Sequence, residues 1–175
     1  MAAIKLNGDT SGHVEITAPA VAGTQSVEFP TDVVQKSEFQ SEFQSEMAAL
    51  AWTAYTPTWA ANTGSPTIGN GTLTGKYVQI GKLLHFKIAL TFGSTTSVGT
   101  STVWRFGLPV PVVYDNMPVP GWLLDSGTAE YLATATVSAA TEVRPTVSTG
   151  YLSYNAPFTW TTNDCLRIQG TLEVV

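Results

Sequence analysis

The stretch TGKYVQIGKLLHFKIALTF, residues 74–92, carries the clearest structural pattern in the chain. Its second half places an apolar side chain at every second position: Leu84, Phe86, Ile88, Leu90 and Phe92. This period of two predicts a half-buried strand of about nine residues, because successive side chains of a strand point to opposite faces. Gly81 and Lys82 separate it from an earlier strand at residues 77–80, and glycine at the first of two loop positions is typical of a hairpin.

Short strand-like segments continue from this hairpin to the end of the sequence, with no helical pattern between them. The predicted strands are residues 103–108, 121–124, 130–138, 142–148, 150–154, 158–161 and 166–175. Turn sequences such as DSGT and TTND separate them. Many short strands with regular turns indicate an antiparallel sandwich or barrel. We therefore expect a mainly β protein in which residues 53–175 form an antiparallel β-sandwich of the jelly-roll type.

Residues 1–30 form an extended segment in this interpretation. GHVEIT and SVEF each alternate, with Val14 and Ile16 in step in the first and Val27 and Phe29 in step in the second. Two such strands make a marginal hairpin that needs a surface to lie on. It could fold back on its own domain or dock on a neighbouring subunit or platform. We favour the second possibility and predict that these four residues form an anchoring interface.

Residues 31–52 predict a short helix, which contains the repeated sequence SEFQSEFQSEM at residues 37–47. No glycine or proline interrupts the segment from Thr31 to Leu50, and its apolar residues recur at helical spacing: Val33, Phe39, Phe43, Met47 and Leu50. A helix of this length is barely stable alone in water. The phenylalanines must therefore be covered, either by the β domain or by other copies of the helix. We favour self-association through these five residues.

The charge distribution separates the two parts of the chain. Residues 1–52 hold two basic and seven acidic residues, a net charge of −5, whereas residues 53–175 hold six of each. A neutral body without a basic stripe argues against nucleic acid as a partner. No stretch approaches the roughly 20 apolar residues of a membrane span, and the first residues lack the apolar run of a secretory signal. We expect synthesis in the cytoplasm and no membrane partner.

No residue pattern predicts catalysis or a cofactor. Cys165 is the only cysteine, and His13 and His85 stand without other ligands at metal-binding spacing. GNGTLTGK, residues 69–76, superficially resembles a phosphate loop, but Asn70 stands where that motif needs glycine. The carboxylates of the body are few and unclustered: Asp115, Asp125, Glu130, Glu142, Asp164 and Glu173. We therefore expect a protein that is not an enzyme and binds no metal or cofactor.

Aromatic residues are the remaining candidates for binding. Most of the tryptophans and tyrosines are expected in the core of a sandwich, although large rings are also enriched at interfaces. Tyr151 and Tyr154 flank a predicted turn, and we predict that they are exposed. They are the candidate residues for contact with a glycan.

Three stretches resemble structural proteins of tailed-bacteriophage virions. GHVEITAPAVAGTQSVEFPT (residues 12–31) is similar to a segment of fibre and decoration proteins. Residues 55–99, from YTPTW through the hairpin and its long alternating strand, resemble a β-sandwich module of head and tail proteins. PFTWTTNDCLRIQGTLEV (residues 157–174) resembles the last strand pair of that module. Together these stretches cover roughly half of the chain.

The resemblance implies a homotrimer located in the virion. By analogy, residues 1–30 would attach to the major capsid protein or another virion protein, residues 31–52 would hold three copies together, and the sandwich would face solvent. This is the plan of a capsid decoration or head-fibre protein. The alternative is a tail-associated fibre whose sandwich contacts host-surface glycan. Such modules have no shared catalytic residues to transfer.

Overall fold

A computed structural model of the chain describes residues 3–7, 13–17, 36–114 and 116–175. The chain divides into two compact units, Met1–Phe43 and Gln44–Val175. The protein is mainly β, and the described residues form twelve strands and one helix. The elements are β1 (Ala3–Asn7), β2 (His13–Thr17), α1 (Lys36–Ala49), β3 (Thr53–Tyr55), β4 (Trp59–Thr63), β5 (Thr72–Ile80), β6 (Leu83–Thr91), β7 (Thr102–Gly107), β8 (Pro118–Asp125), β9 (Ala129–Ala139), β10 (Glu142–Val147), β11 (Gly150–Tyr151) and β12 (Cys165–Glu173).

The N-terminal unit contains a two-stranded antiparallel sheet. β1 pairs with β2, and the register sets Ile4 opposite Ile16 and Leu6 opposite Val14. The strand predicted in GHVEIT is therefore confirmed. Its described partner is β1, which the sequence pattern did not predict. The second predicted strand of this region, SVEF, lies outside the described residues.

The C-terminal unit contains one continuous antiparallel sheet of ten strands. Their order is β3-β5-β6-β12-β8-β9-β10-β7-β4, and β11 pairs with β10. The two ends of this order, β3 and β4, are consecutive along the chain and only residues 56–58 connect them. Three residues bridge at most about 14 Å between the Cα atoms of Tyr55 and Trp59. The sheet must therefore curl until its two edges lie close together.

The resulting architecture is a half-barrel, and the jelly-roll sandwich expected from the sequence is not confirmed. The sequence pattern identified strands but carried no information on which strands pair. β12, the last strand, lies between β6 and β8 in the middle of the sheet. It pairs along its whole length with β6, from Cys165 opposite Thr91 to Glu173 opposite Leu83. This long-range pairing makes one continuous sheet out of segments that a sandwich would divide between two.

The central hairpin follows the predicted pattern. β5 and β6 pair through Ile80 and Leu83 around Gly81 and Lys82, and Gly81 adopts a positive φ of 57°. That conformation is favourable for glycine and strained for most other residues. The five alternating apolar residues of the 74–92 stretch are all buried, each at most 3% exposed. The half-buried strand predicted from the sequence is confirmed.

An aromatic cluster fills one part of the core. Trp104 is fully buried, and its ring lies 4.9 Å from that of Trp59 and 4.8 Å from that of Trp160, measured between centroids. Phe92 stacks on Trp160 at 4.9 Å. The indole nitrogen of Trp104 donates to the Ser101 hydroxyl at 2.8 Å, so its one polar group is satisfied.

Two predicted strands near the C-terminus differ from the structure. Residues 158–161 are not a strand, and the segment predicted at 150–154 ends as a strand at Tyr151. The alternating apolar residues of the first segment, Phe158 and Trp160, pack into the aromatic cluster from a loop. The burial of these side chains therefore explains the apolar alternation at residues 158–161. The backbone of these residues forms no strand pairing with the described residues. β3 and β4 were not predicted, because they are short edge strands with few apolar positions.

Candidate interaction surfaces

The most prominent exposed feature is an apolar stripe along α1. It consists of Phe39 (62% exposed), Phe43 (58%), Met47 (52%) and Leu50 (36%), the last being the turn residue after the helix. Spacings of four, four and three residues place these side chains on one helical face. The rings of Phe39 and Phe43 stack with their centroids 6.4 Å apart. We refer to these four residues as the helix stripe.

The helix stripe contains four of the five residues predicted for self-association. The fifth, Val33, lies outside the described residues. α1 has 14 residues, a length at which an isolated helix is marginal in water. A helix with exposed phenylalanines gains stability when that face is buried. The arrangement can therefore bind another apolar surface, including the same face of a second copy.

The predicted anchoring residues fall in the N-terminal unit. Val14 and Ile16 occupy β2 and stand opposite apolar residues of β1 in the register, while Glu15 stands opposite Lys5. One set of positions in this small sheet is thus apolar, and the alternate set includes the oppositely charged pair Lys5 and Glu15. Val27 and Phe29 lie outside the described residues.

The candidate glycan residues, Tyr151 and Tyr154, are both exposed, Tyr151 to 46%. The guanidinium carbon of Arg144 lies 4.5 Å from the Tyr151 ring centroid, a cation–π contact that orients the ring. The backbone N–H of Tyr154 donates to the Ser101 carbonyl at 2.9 Å. The structure thus places both tyrosines on the surface, within one region of the chain, without a ring contact among the described residues joining them.

Two of the described carboxylates, Asp164 and Glu142, have structural contacts. Asp164 is fully buried and accepts hydrogen bonds from the backbone N–H groups of Ser126 and Thr161. Glu142 pairs with Arg105 at 3.4 Å. These bonds fix turns and strand neighbours. Asp115 lies outside the described residues.

The described part of the chain contains neither a metal-binding cluster nor a membrane-spanning helix. Within it, no group of three or more His, Cys, Asp or Glu side chains could hold a metal ion. His85 bonds through Nδ1 to the Thr171 hydroxyl at 3.0 Å. Cys165 is a buried free thiol. No helix in this part is long and apolar enough to cross a membrane.

A cavity of about 540 Å³ lies beside the gap between the two edges of the half-barrel. Apolar side chains dominate its wall: Pro57, Trp59, Pro66, Ile68 and Leu73. The indole nitrogen of Trp59 is buried without an acceptor among the described residues. The sequence analysis missed this cavity, because it depends on how closely the two edges approach.

Tyr55 occupies the β3 edge of the same gap. Its hydroxyl group is buried without a hydrogen-bond partner among the described residues, and burial raises the pKa of Tyr55 well above its usual range. The ring packs directly on Gly75, where a Cβ would overlap it. The phenol is therefore held in its neutral form.

Comparison with known proteins found no matching family model, no matching curated protein and no matching solved structure.

Proposed function

We propose that this protein is a non-enzymatic structural protein of a tailed-bacteriophage virion. In this proposal it is a homotrimer that decorates the capsid or forms a short head fibre. The N-terminal segment attaches each copy to the major capsid protein or another virion protein, α1 joins the three copies, and the β body faces solvent.

The observation that supports this assignment most strongly is the exposed helix stripe. Fully burying one Phe or Leu side chain stabilises a protein by about 1.5–3 kcal/mol. Phe39, Phe43 and Met47 are more than half exposed, and Leu50 is 36% exposed. In a structural protein that assembles from identical copies, the helix stripe of each copy would be buried against the same face of the other copies.

Trimeric order comes from the resemblance to virion proteins, and the helix is compatible with it. Phe43 and Leu50 stand seven residues apart, as successive positions of one coiled-coil seam do. Phe39 and Met47 lie on either side of that seam. Three copies would place large apolar side chains around a common axis.

Phe43→Glu tests the assignment. Its expected result is dissociation to monomers, because the oligomer would bury several carboxylates in one seam with no partner. The matched control is Ser45→Glu, which adds the same charge on the opposite face of α1, where the side chain is also exposed. The measurement is the mass in solution by light scattering after size exclusion.

The two variants separate a seam effect from a general charge effect. Wild type and Ser45→Glu are expected at the mass of a trimer, and Phe43→Glu at that of one chain of 18.6 kDa. A wild-type chain that is monomeric at high concentration would contradict the proposal. So would a Phe43→Glu variant that keeps the wild-type mass.

A tail-associated, receptor-binding fibre is the second candidate. The exposure of Tyr151 beside Arg144, and of Tyr154, favours it, since exposed rings suit contact with host glycan. Quantitative mass spectrometry of purified particles distinguishes the two locations. Dozens of copies or more per particle are expected for a head protein, whereas a handful would move the protein to the tail.

A further inference from the structure

Charge is segregated within the β body, although the body as a whole is neutral. The β5–β6 hairpin, residues 72–91, holds Lys76, Lys82 and Lys87 and no acidic residue. β12, which pairs with β6, adds Arg167 and Glu173. These three strands and their turn therefore hold four basic residues and one acidic residue, a net charge of +3. The remainder of residues 53–175 carries the compensating −3.

Two of these lysines face each other directly. The register sets Lys76 opposite Lys87, and both side chains are exposed on the face of the sheet that points away from the core. Like charges at directly opposite positions destabilise a sheet. Neither lysine forms an ion pair with any residue that the structure describes. The pair therefore imposes an energetic cost that an anionic partner would relieve.

A depression lies beside Lys87 on this outer face. It has a volume of about 390 Å³ and spans β6, β12 and β8, and we call it the outer-face pocket. Ala89 is small, so the pocket opens above it between longer side chains. Those that form the walls are Lys87, Pro120, Trp122, Arg167 and Gln169.

Hydrogen bonds hold two of these walls in place. The indole nitrogen of Trp122 donates to Glu130 at 3.1 Å, which fixes the plane of the ring. The guanidinium of Arg167 donates to the Leu90 carbonyl at 2.7 Å and has no carboxylate partner among the described residues. A fixed aromatic ring and a net positive charge thus line the same pocket.

A second tryptophan extends the surface beyond Lys87. Trp52 is 42% exposed, packs on His85 with ring centroids 5.2 Å apart, and lies 4.8 Å from Lys87 Nζ. The lysine is therefore held between Trp52 on one side and the outer-face pocket on the other. Neighbouring strands are about 4.8 Å apart, so this surface runs over roughly 10–15 Å.

We propose that the outer-face pocket binds an acidic saccharide, a sugar chain whose rings carry carboxylates. The apolar face of one ring stacks on Trp122, its carboxylate meets Lys87, and the Gln169 amide bonds a hydroxyl. Lys76, opposite Lys87 on β5, lies outside the pocket lining and adds to the positive charge at that end. Aromatic walls with a few polar groups are typical of small-ligand sites. This inference goes beyond the proposed function, because it uses neither the helix stripe nor Tyr151 and Tyr154.

The charge and shape favour a saccharide over nucleic acid. Strong electrostatic binding of nucleic acid uses many phosphate contacts, commonly six to ten, with clustered basic residues. β5, β6, β12 and the hairpin turn hold four basic residues; Lys82 lies at the turn, and Arg167 is turned onto backbone carbonyls. A pocket of about 390 Å³ with a tryptophan wall fits a single charged ring better than a continuous phosphate backbone.

The test uses hexagalacturonate and its fully methyl-esterified form, which keeps the rings and removes the charge. Binding to the full-length protein is measured by isothermal titration calorimetry and by tryptophan fluorescence. We expect the acid to bind in the millimolar range or tighter and the ester to bind at least tenfold more weakly. Lys87→Gln and Trp122→Ala are each expected to weaken binding of the acid at least fivefold.

Lys82→Gln is the matched control, because it removes the same charge at the hairpin turn, outside the pocket lining. It is expected to change affinity less than twofold. The proposal is overturned if the acid does not bind at 10 mM, if the ester binds equally, or if Lys82→Gln weakens binding as much as Lys87→Gln. Displacement of bound hexagalacturonate by a peptide of residues 36–50 would instead assign this face to a protein partner.

The Phe43→Glu variant keeps the two proposals separate. It is expected to bind hexagalacturonate as wild type does, whatever its mass in solution. Loss of saccharide binding in that variant would show that the site depends on assembly, contrary to this inference. Normal binding in a chain that proves monomeric would overturn the assembly proposal alone.

Discussion

Strand β6 and helix α1 both carry regular apolar patterns, and the structure treats them in opposite ways. In β6 every apolar residue on the inner face is buried, and Phe86 has no exposed surface. In α1 the residues of the helix stripe are 36–62% exposed. Both patterns match the period of their element, two for the strand and about 3.6 for the helix.

The two elements differ in what covers their apolar faces. β6 lies between β5 and β12, and the core of the half-barrel covers its inner face. The helix stripe has a similarly regular spacing, and its side chains are 36–62% exposed in the part of the chain that the structure describes. A periodic apolar face therefore predicts burial, but whether the partner belongs to the same chain must be read from the structure. The assembly proposal therefore rests on α1, whereas β6 stabilises the β body.

Phe86→Ala against Phe39→Ala tests this comparison with the largest expected effect. Removing a buried phenylalanine typically costs 3–5 kcal/mol, because it forfeits burial and leaves a cavity. Phe86→Ala is therefore expected to lower the free energy of unfolding of the body by about that amount. Urea unfolding followed by tryptophan fluorescence measures it, since Trp104 and Trp160 report on the core.

Phe39→Ala makes the same substitution at an exposed position. At concentrations where the protein is dissociated, it is expected to change the free energy of unfolding by about 0.5 kcal/mol or less. Its effect should appear as a raised dissociation constant for self-association. Equal losses of unfolding free energy in the two variants would show that the helix stripe packs within its own chain.

The sequence predicted the strands better than their arrangement. The period of two located β6, and the turn residues located β7, β8, β9, β10 and β12 to within about three residues, whereas β5 begins five residues before its predicted start. The position of β12 depends on contacts about 80 residues apart in the chain with β6 and about 45 residues apart with β8, and no local pattern encodes those. The half-barrel was therefore not predictable from strand patterns alone.

The interaction surfaces were predictable to different degrees. The helix stripe follows from the spacing of four residues within one element, so the sequence identified Phe39, Phe43, Met47 and Leu50. The outer-face pocket combines single residues from β6, β8 and β12, among them Trp122 and Arg167. The net charge summed over the whole body is zero, so the sequence alone provided no sign of a positive face. The excess of basic residues on β5, β6 and β12 is identified only once the pairing of these strands is known.

Tyr55 tests the comparison between exposed and buried elements more finely. Its edge strand β3 lies, along the chain, between the exposed helix α1 and the buried strands of the sheet. Tyr55 is half-buried, its ring meets that of Tyr77 edge-on at 5.9 Å, and its hydroxyl group has no partner among the described residues. Since burial raises the pKa of Tyr55, the folded protein keeps the phenol neutral at a pH where the unfolded chain ionises it. The unfolded phenol ionises near pH 10.

The sign of the pH dependence follows from this raised pKa. The contribution of Tyr55 to stability is fully present below about pH 10 and is lost progressively as the pH rises above that value toward the folded pKa. Tyr55→Phe removes the titrating group and a buried unsatisfied hydroxyl, so it is expected to raise the free energy of unfolding at pH 8 by about 1 kcal/mol. Between pH 8 and pH 11 the variant should lose less unfolding free energy than wild type, measured by urea unfolding at both values. Parallel losses in the two proteins would mean that the Tyr55 phenol is solvated in the folded state and that β3 belongs with the exposed part of the molecule.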